Sequence, residues 1–93
     1  MVEEDLEHWA RREILLRGGM MLKWTSPSVR GVPDDICFWP GGIIHFIEFK
    51  WDVEQPDALQ QTMHQRLHSY GHEVLIVRNK QWLVDYIRAY CPR

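Results

Sequence analysis

Asp34, Glu48 and Lys50 are the residues of this chain whose types and spacing could carry out chemistry. They lie within residues 31–50. There, 35–39 and 43–50 are rich in β-branched and aromatic residues, and Pro40-Gly41-Gly42 between them is a turn signal, so the segment reads as an antiparallel hairpin. If Trp39 and Ile43 flank the turn, Asp34 faces Glu48 with Cβ atoms about 5 Å apart; a bulge would shift that register by one residue. Like charges opposed across a ladder are destabilising, and a cation between them resolves the conflict. Alternation puts Glu48 and Lys50 on the same side of the sheet. Two carboxylates able to hold a divalent cation, with an ammonium beside them, suit the hydrolysis of a phosphate ester.

The remaining elements must position this hairpin. Residues 3–17 read as a helix, with acidic residues at its start to complement the macrodipole and Gly18-Gly19 to stop it. Glu3, Glu7, Ala10 and Ile14 share one of its faces, so Glu7 can point inward. Residues 20–24 are a short first strand, followed by the loop Thr25-Ser26-Pro27-Ser28. A helix over about 57–70 presents Leu59, Met63, Leu67 and Tyr70 at helical spacing, with Gln60, His64 and His68 on the neighbouring row. The apolar run at 73–78 reads as a central strand buried on both faces and reached by a helical crossover. Asn79 caps a last helix that ends before Pro92. The order helix, three strands, helix, strand, helix describes a small α/β sheet.

Ninety-three residues provide one core, and residues 1–93 read as a single domain. A hydrophobic share of 45% with five tryptophans is that of a globular protein, and no apolar run approaches the roughly 20 residues of a membrane span. The acidic Met1-Val2-Glu3-Glu4-Asp5 is unlike a signal peptide, so the expectation is a cytoplasmic protein with Cys37 and Cys91 reduced. A formal net charge of −2 gives no general attraction to nucleic acid, so any phosphate contact has to come from local clustering of cations such as Arg11, Lys23, Arg30 and Lys50.

Four motifs in order carry a resemblance to a known family: Gly31-Val32-Pro33-Asp34; Glu48-Phe49-Lys50; Glu7 one helix length before Gly18-Gly19 and Lys23; and the row Gln60, His64, Leu67. Together they resemble the VRR-NUC (virus-type replication-repair nuclease) domain of the PD-(D/E)xK superfamily, in its bacteriophage form, over nearly the whole chain. The resemblance implies a small restriction-endonuclease-like α/β fold and an Mg²⁺- or Mn²⁺-dependent endonuclease acting on DNA, in a phage or prophage setting within a bacterial host. It further implies branched substrates such as Holliday junctions, and homodimers. Carried over residue by residue, Asp34 and Glu48 match the metal-binding carboxylates, with the Phe49 carbonyl as a further ligand. Lys50 matches the catalytic lysine, Glu7 the supporting acid (acting on the metal through water) and Gln60 the accessory polar residue. Glu3 and Glu4 are rivals for the place of Glu7, and Asp35 is a minor departure from the family pattern.

Simpler readings compete with these. Glu48 and Lys50 could be a surface ion pair worth at most about 1 kcal/mol, and Gln60 a solvated helix residue. His64, His68 and His72 recur every four residues, yet Gly71 should end the helix before a zinc face is complete. The tryptophans belong mainly to the core; Trp24 and Trp51, beside Lys23 and Lys50, are the two placed to touch DNA, together with Arg30. Trp9, Trp82 and Tyr86 on the terminal helices mark an expected dimer surface. Alternative activities are cleavage of flapped or nicked ends, or a catalytically silent DNA-binding or assembly module.

Overall fold

A computed structural model describes residues 3–92; the side chains of Glu3 and Glu4, the rival acids, lie outside the described part. Helix α1 spans Glu3–Leu16. Gly18 then turns the chain at φ +97°, and Gly19 N–H donates back to the Ile14 carbonyl at 2.9 Å, closing the helix end as the glycine pair implied. Strands β1 (Met20–Lys23), β2 (Asp35–Trp39) and β3 (Ile43–Phe49) follow as an antiparallel meander. Helix α2 (Ala58–Ser69) crosses over to β4 (Val74–Val77), which pairs parallel with β3, and α3 (Lys80–Tyr90) ends the chain under an Asn79 cap.

The hairpin register runs from Trp39 opposite Ile43 to Asp35 opposite Ile47, as the turn demands, with Gly41 and Gly42 both at positive φ. β4 differs from its sequence reading. The strand order is β1-β2-β3-β4, so β4 is an edge strand and not a central one. Its apolar run reflects cover above and below the sheet, from α3 and α2; it says nothing about a second neighbour within the plane.

Alternation gives the sheet two unlike faces. Met21, Cys37, Trp39, Ile47, Phe49 and Val77 are buried against Leu6, Ala10 and Ile14 of α1 and Leu83, Tyr86 and Ile87 of α3, and this is the core. Trp39 Nε1 donates to Tyr86 Oη at 2.9 Å, and Trp82 stacks on Tyr86. Tyr86 is therefore core, and Trp9 and Trp82 are partly buried against it, so these residues do not form a free dimer surface. Both cysteines are free, with Cys37 buried. None of the described helices is long and apolar enough to cross a membrane.

On the opposite sheet face lie α2, which has no fully buried side chain, and the rings of Trp24 and His72 against Phe46. Its half-buried row is Gln60, Met63, His64 and Leu67, while Leu59 and Tyr70 are exposed. The helix is thus turned about one row from the apolar stripe, because the surface it covers carries Glu48 and Lys50 and accepts polar side chains.

Gly31 fixes the start of α2. It sits at φ +84°, and a Cβ there would lie 2.4 Å from the Leu59 carbonyl oxygen. Gly31→Ala is expected to destabilise the domain by about 2–4 kcal/mol, combining left-handed strain with a backbone clash, and to lower activity by pushing Gln60 away. Urea melts and cleavage rates check both effects.

Candidate active site

The β2–β3 ladder stops at Asp35 opposite Ile47. One residue further out, Phe49 N–H donates to Asp34 Oδ2 at 2.8 Å, so a carboxylate takes the place of a ladder carbonyl and pins Asp34 beside Glu48. The Asp34 carbonyl meanwhile accepts from Trp24 N–H at 2.9 Å on the β1 side. Asp34, Glu48 and Lys50 share the α2 face. Glu48 is 1% exposed, and its pKa rises from 4.5 to about 7, through burial first and the charge of Asp34 second, against the pull of Lys50. Lys50 Nζ lies 3.5 Å from Glu48 Oε2 and 3.5 Å from Glu54 Oε1. Burial alone would lower its pKa, but the two glutamates outweigh burial and the net shift is upward, so Lys50 stays an ammonium.

Gln60 does two things with one amide. Asp57 caps α2 by accepting from Gln60 N–H, and Gln60 Oε1 accepts from Asp57 N–H in return, completing a capping box. With its oxygen so committed, the amide nitrogen faces the sheet and donates to Glu48 Oε2 at 2.8 Å. Gln60→Glu keeps the box and loses the donor, whereas Gln60→Ala loses both. At pH 5, with Glu48 protonated, the glutamate variant is expected to melt within about 0.5 kcal/mol of the wild type and the alanine variant about 1 kcal/mol below it. Cleavage at neutral pH should fall about 10- to 100-fold in both. Melts and rates on the two proteins separate capping from the contact with Glu48.

His64, one turn further along α2, has its Nε2 buried with no hydrogen-bond partner among the described residues. Its pKa is lowered by burial and then by the Lys50 charge, with Asp34 opposing, so it belongs to the electrostatics of this site. Among the described residues no three His, Cys, Asp or Glu side chains converge on a common metal position, and the histidine row of α2 forms no zinc face.

Glu7 is held from the α1 side by two cations. Its Oε2 is 3.3 Å from Arg11 Nη1 and 3.8 Å from Lys23 Nζ. It belongs to the α1 side of the sheet, where Arg11 Nη1 also donates to Asp35 Oδ1 at 2.9 Å. Asp35 is fully buried, its Oδ2 has no partner among the described residues, and its pKa rises from 3.8 to about 6 through burial first and Glu7 second, with Arg11 opposing. Sequence reading passed over Asp35 and Arg11 as a site pair. The available signal was an acid at an inward strand position, which a buried sheet face tolerates only with a counter-charge.

The expected DNA contacts divide. Lys23, Trp24 and Arg30 line one open groove of about 460 Å³ with Gln60 and Gly31, so three of them share a groove with the residue whose amide donates to Glu48. Trp51 lies apart, in a hollow with Asp52, Arg78 and Asn79. Asp34 and Glu48 fit a hard divalent cation: the donors are carboxylate oxygens, and Glu48 Oε1 is buried without a hydrogen-bond partner among the described residues.

No protein-family model matches the chain. It is 37% identical over 75 residues to p44 of Acyrthosiphon pisum secondary endosymbiont phage 1, a protein named as a nuclease, covering 81% of each chain. It also superposes on a solved structure described as a VRR_NUC domain with a TM-score of 0.83 and 27% identity, covering 95% of this chain and 96% of the other.

Proposed function

On the premise that the chain belongs to the VRR-NUC family of nucleases, we propose that it is a divalent-metal-dependent DNA endonuclease with Asp34, Glu48 and Lys50 at its centre. One observation carries the reading. A buried glutamate is held against a second carboxylate, with one oxygen unpartnered among the described residues, and Gln60, which donates to it, lines a groove carrying Lys23, Trp24 and Arg30. Such an arrangement is unfavourable for the isolated protein and favourable once a cation is bound.

Mg²⁺ or Mn²⁺, when bound, would supply Lewis acidity towards the scissile phosphate. Asp34, Glu48 and the Phe49 carbonyl are the groups to hold it, with Glu7 acting on it through water. Phe49 N–H and the Gln60 amide orient the two carboxylates before any ligand arrives. Lys50, fixed between Glu48 and Glu54, places its charge where negative charge develops on the phosphate oxygens. Lys23 and Arg30 bind the backbone of the strand being cut, and Trp24 offers a face to a base.

The preferred substrate is branched DNA such as a Holliday junction, cut inside a bacterial host cell by a homodimer. A four-way junction requires two opposed cuts, and each chain carries one centre of this kind. Exposed Leu15, Met20 and Leu22, grouped where α1 meets the edge strand β1, provide apolar surface for the pairing. The test is cleavage of a four-way junction and of the same sequence as linear duplex, with Mg²⁺, with Mn²⁺ and with chelator. Metal-dependent cutting with the junction preferred is expected. Equal cutting of both substrates would remove the branched-DNA assignment, and cutting in chelator would remove the metal.

A further inference from the structure

Glu7, Arg11 and Asp35 form a chain of contacts on the far side of the sheet from Glu48. Asp35 directly follows Asp34, and alternation sends its side chain to the α1 face. There one amino group of Arg11 serves two carboxylates: Nη1 donates to Asp35 Oδ1 at 2.9 Å and to Glu7 Oε2 at 3.3 Å. Lys23, opposite Asp35 in the β1–β2 ladder, reaches the same Glu7 oxygen at 3.8 Å. Asp35 cannot turn to solvent, being 0% exposed.

A buried ion pair contributes little net stability, because desolvation offsets the attraction, and here one oxygen of Asp35 also goes without a partner among the described residues. An apolar residue would fill this inward position at no such cost. What the pair supplies is geometry: Nη1 carries two hydrogens in the fixed plane of the guanidinium fork, and with one directed to Asp35 the direction in which the other meets the Glu7 carboxylate is set relative to β2.

We infer that Asp35, acting through Arg11, is a positioning residue that fixes the helix acid Glu7 relative to the strand acid Asp34. The inference rests on the nuclease reading above and adds two residues to its machinery. Glu7 is then held by cations on one oxygen, and Arg11 and Asp35 never touch the substrate.

A kinetic cycle with a metal-free control tests it. Asp35→Asn keeps the shape and removes the charge; Arg11→Lys keeps a counter-charge for the buried carboxylate and removes the fork, and serves if the first variant folds poorly. Each is expected to lower kcat about 10-fold with KM unchanged, and to cause no further loss in a Glu7→Gln background. NMR of the metal-free wild type is expected to show slowly exchanging Arg11 guanidinium protons, and both Asp35→Asn and Glu7→Gln to lose them. The same fold-loss in both backgrounds, tracking a lower melting temperature, would assign the pair to structure alone and overturn the inference. A wild type that cuts beside an Asp35→Asn protein of equal rate overturns only this inference. A wild type that cuts nothing overturns the nuclease reading along with it.

Discussion

Asp34→Ala and Glu48→Ala should each lower metal-dependent cleavage by at least about 10²- to 10³-fold while leaving the domain folded. The two residues are not equivalent supports of the fold. Asp34 accepts one backbone bond, from Phe49, at the open end of the ladder, and Glu48 is held by Gln60 and Lys50 on the half-covered face. Neither belongs to the apolar core behind the sheet. Losing either carboxylate removes half of the pair proposed to hold the cation and relieves the repulsion between them. Circular dichroism and thermal melts establish folding, and single-turnover rates establish the loss. A rate within a few-fold of wild type in either variant would mean that the reaction centre lies elsewhere.

Glu48→Gln should be more stable than the wild type in metal-free buffer at pH 8. The pKa of Glu48 is raised on folding, from 4.5 to about 7, so its favourable contribution is complete below pH 4.5 and is lost as the pH rises through about 7. The glutamine cannot ionise and escapes that loss, which amounts to about 2–3 kcal/mol. For a domain of this size that is a rise in Tm of at least about 8 °C at pH 8, shrinking towards zero near pH 4.5. Asp35 imposes a similar fall between 3.8 and about 6 in both proteins, so the difference between them isolates Glu48. Adding Mg²⁺ at pH 8 should raise the Tm of the wild type and leave that of the variant where it was. Parallel stability curves for the two proteins across this range would show that Glu48 ionises without penalty.

The hairpin was legible in the sequence because two local signals agree. Pro40-Gly41-Gly42 sets the turn, and alternation then determines that Glu48 and Lys50 share a face and that Asp34 stands opposite. The Asn79 cap was legible for the same reason, its contact with Trp82 being three residues away, whereas the Asp57–Gln60 box, equally local, was passed over. What could not be read depends on separations the chain does not encode locally. The edge position of β4 is a matter of in-plane neighbours, to which its outward-pointing valines and leucine are indifferent. The face of α2 was misread by one row because the apolar stripe was followed, while the sheet beneath is polar around Glu48. Asp35 meets Arg11 across 24 residues, and only the packing of α1 on the sheet brings them together.

Helix α2 is held on the sheet without a single fully buried side chain. Its attachment relies on half-buried Met63 and Leu67, the close seat against Gly31 and the Gln60 amide. A segment anchored so lightly has a low free energy of local opening, well short of global unfolding. Its amide protons should exchange with solvent faster than those of β3, which is bonded on both edges. Anything that tightens the surroundings of Glu48 must close this helix down through Gln60. Deuterium uptake along α2 would thus report occupancy of the carboxylate pair without any substrate being cut.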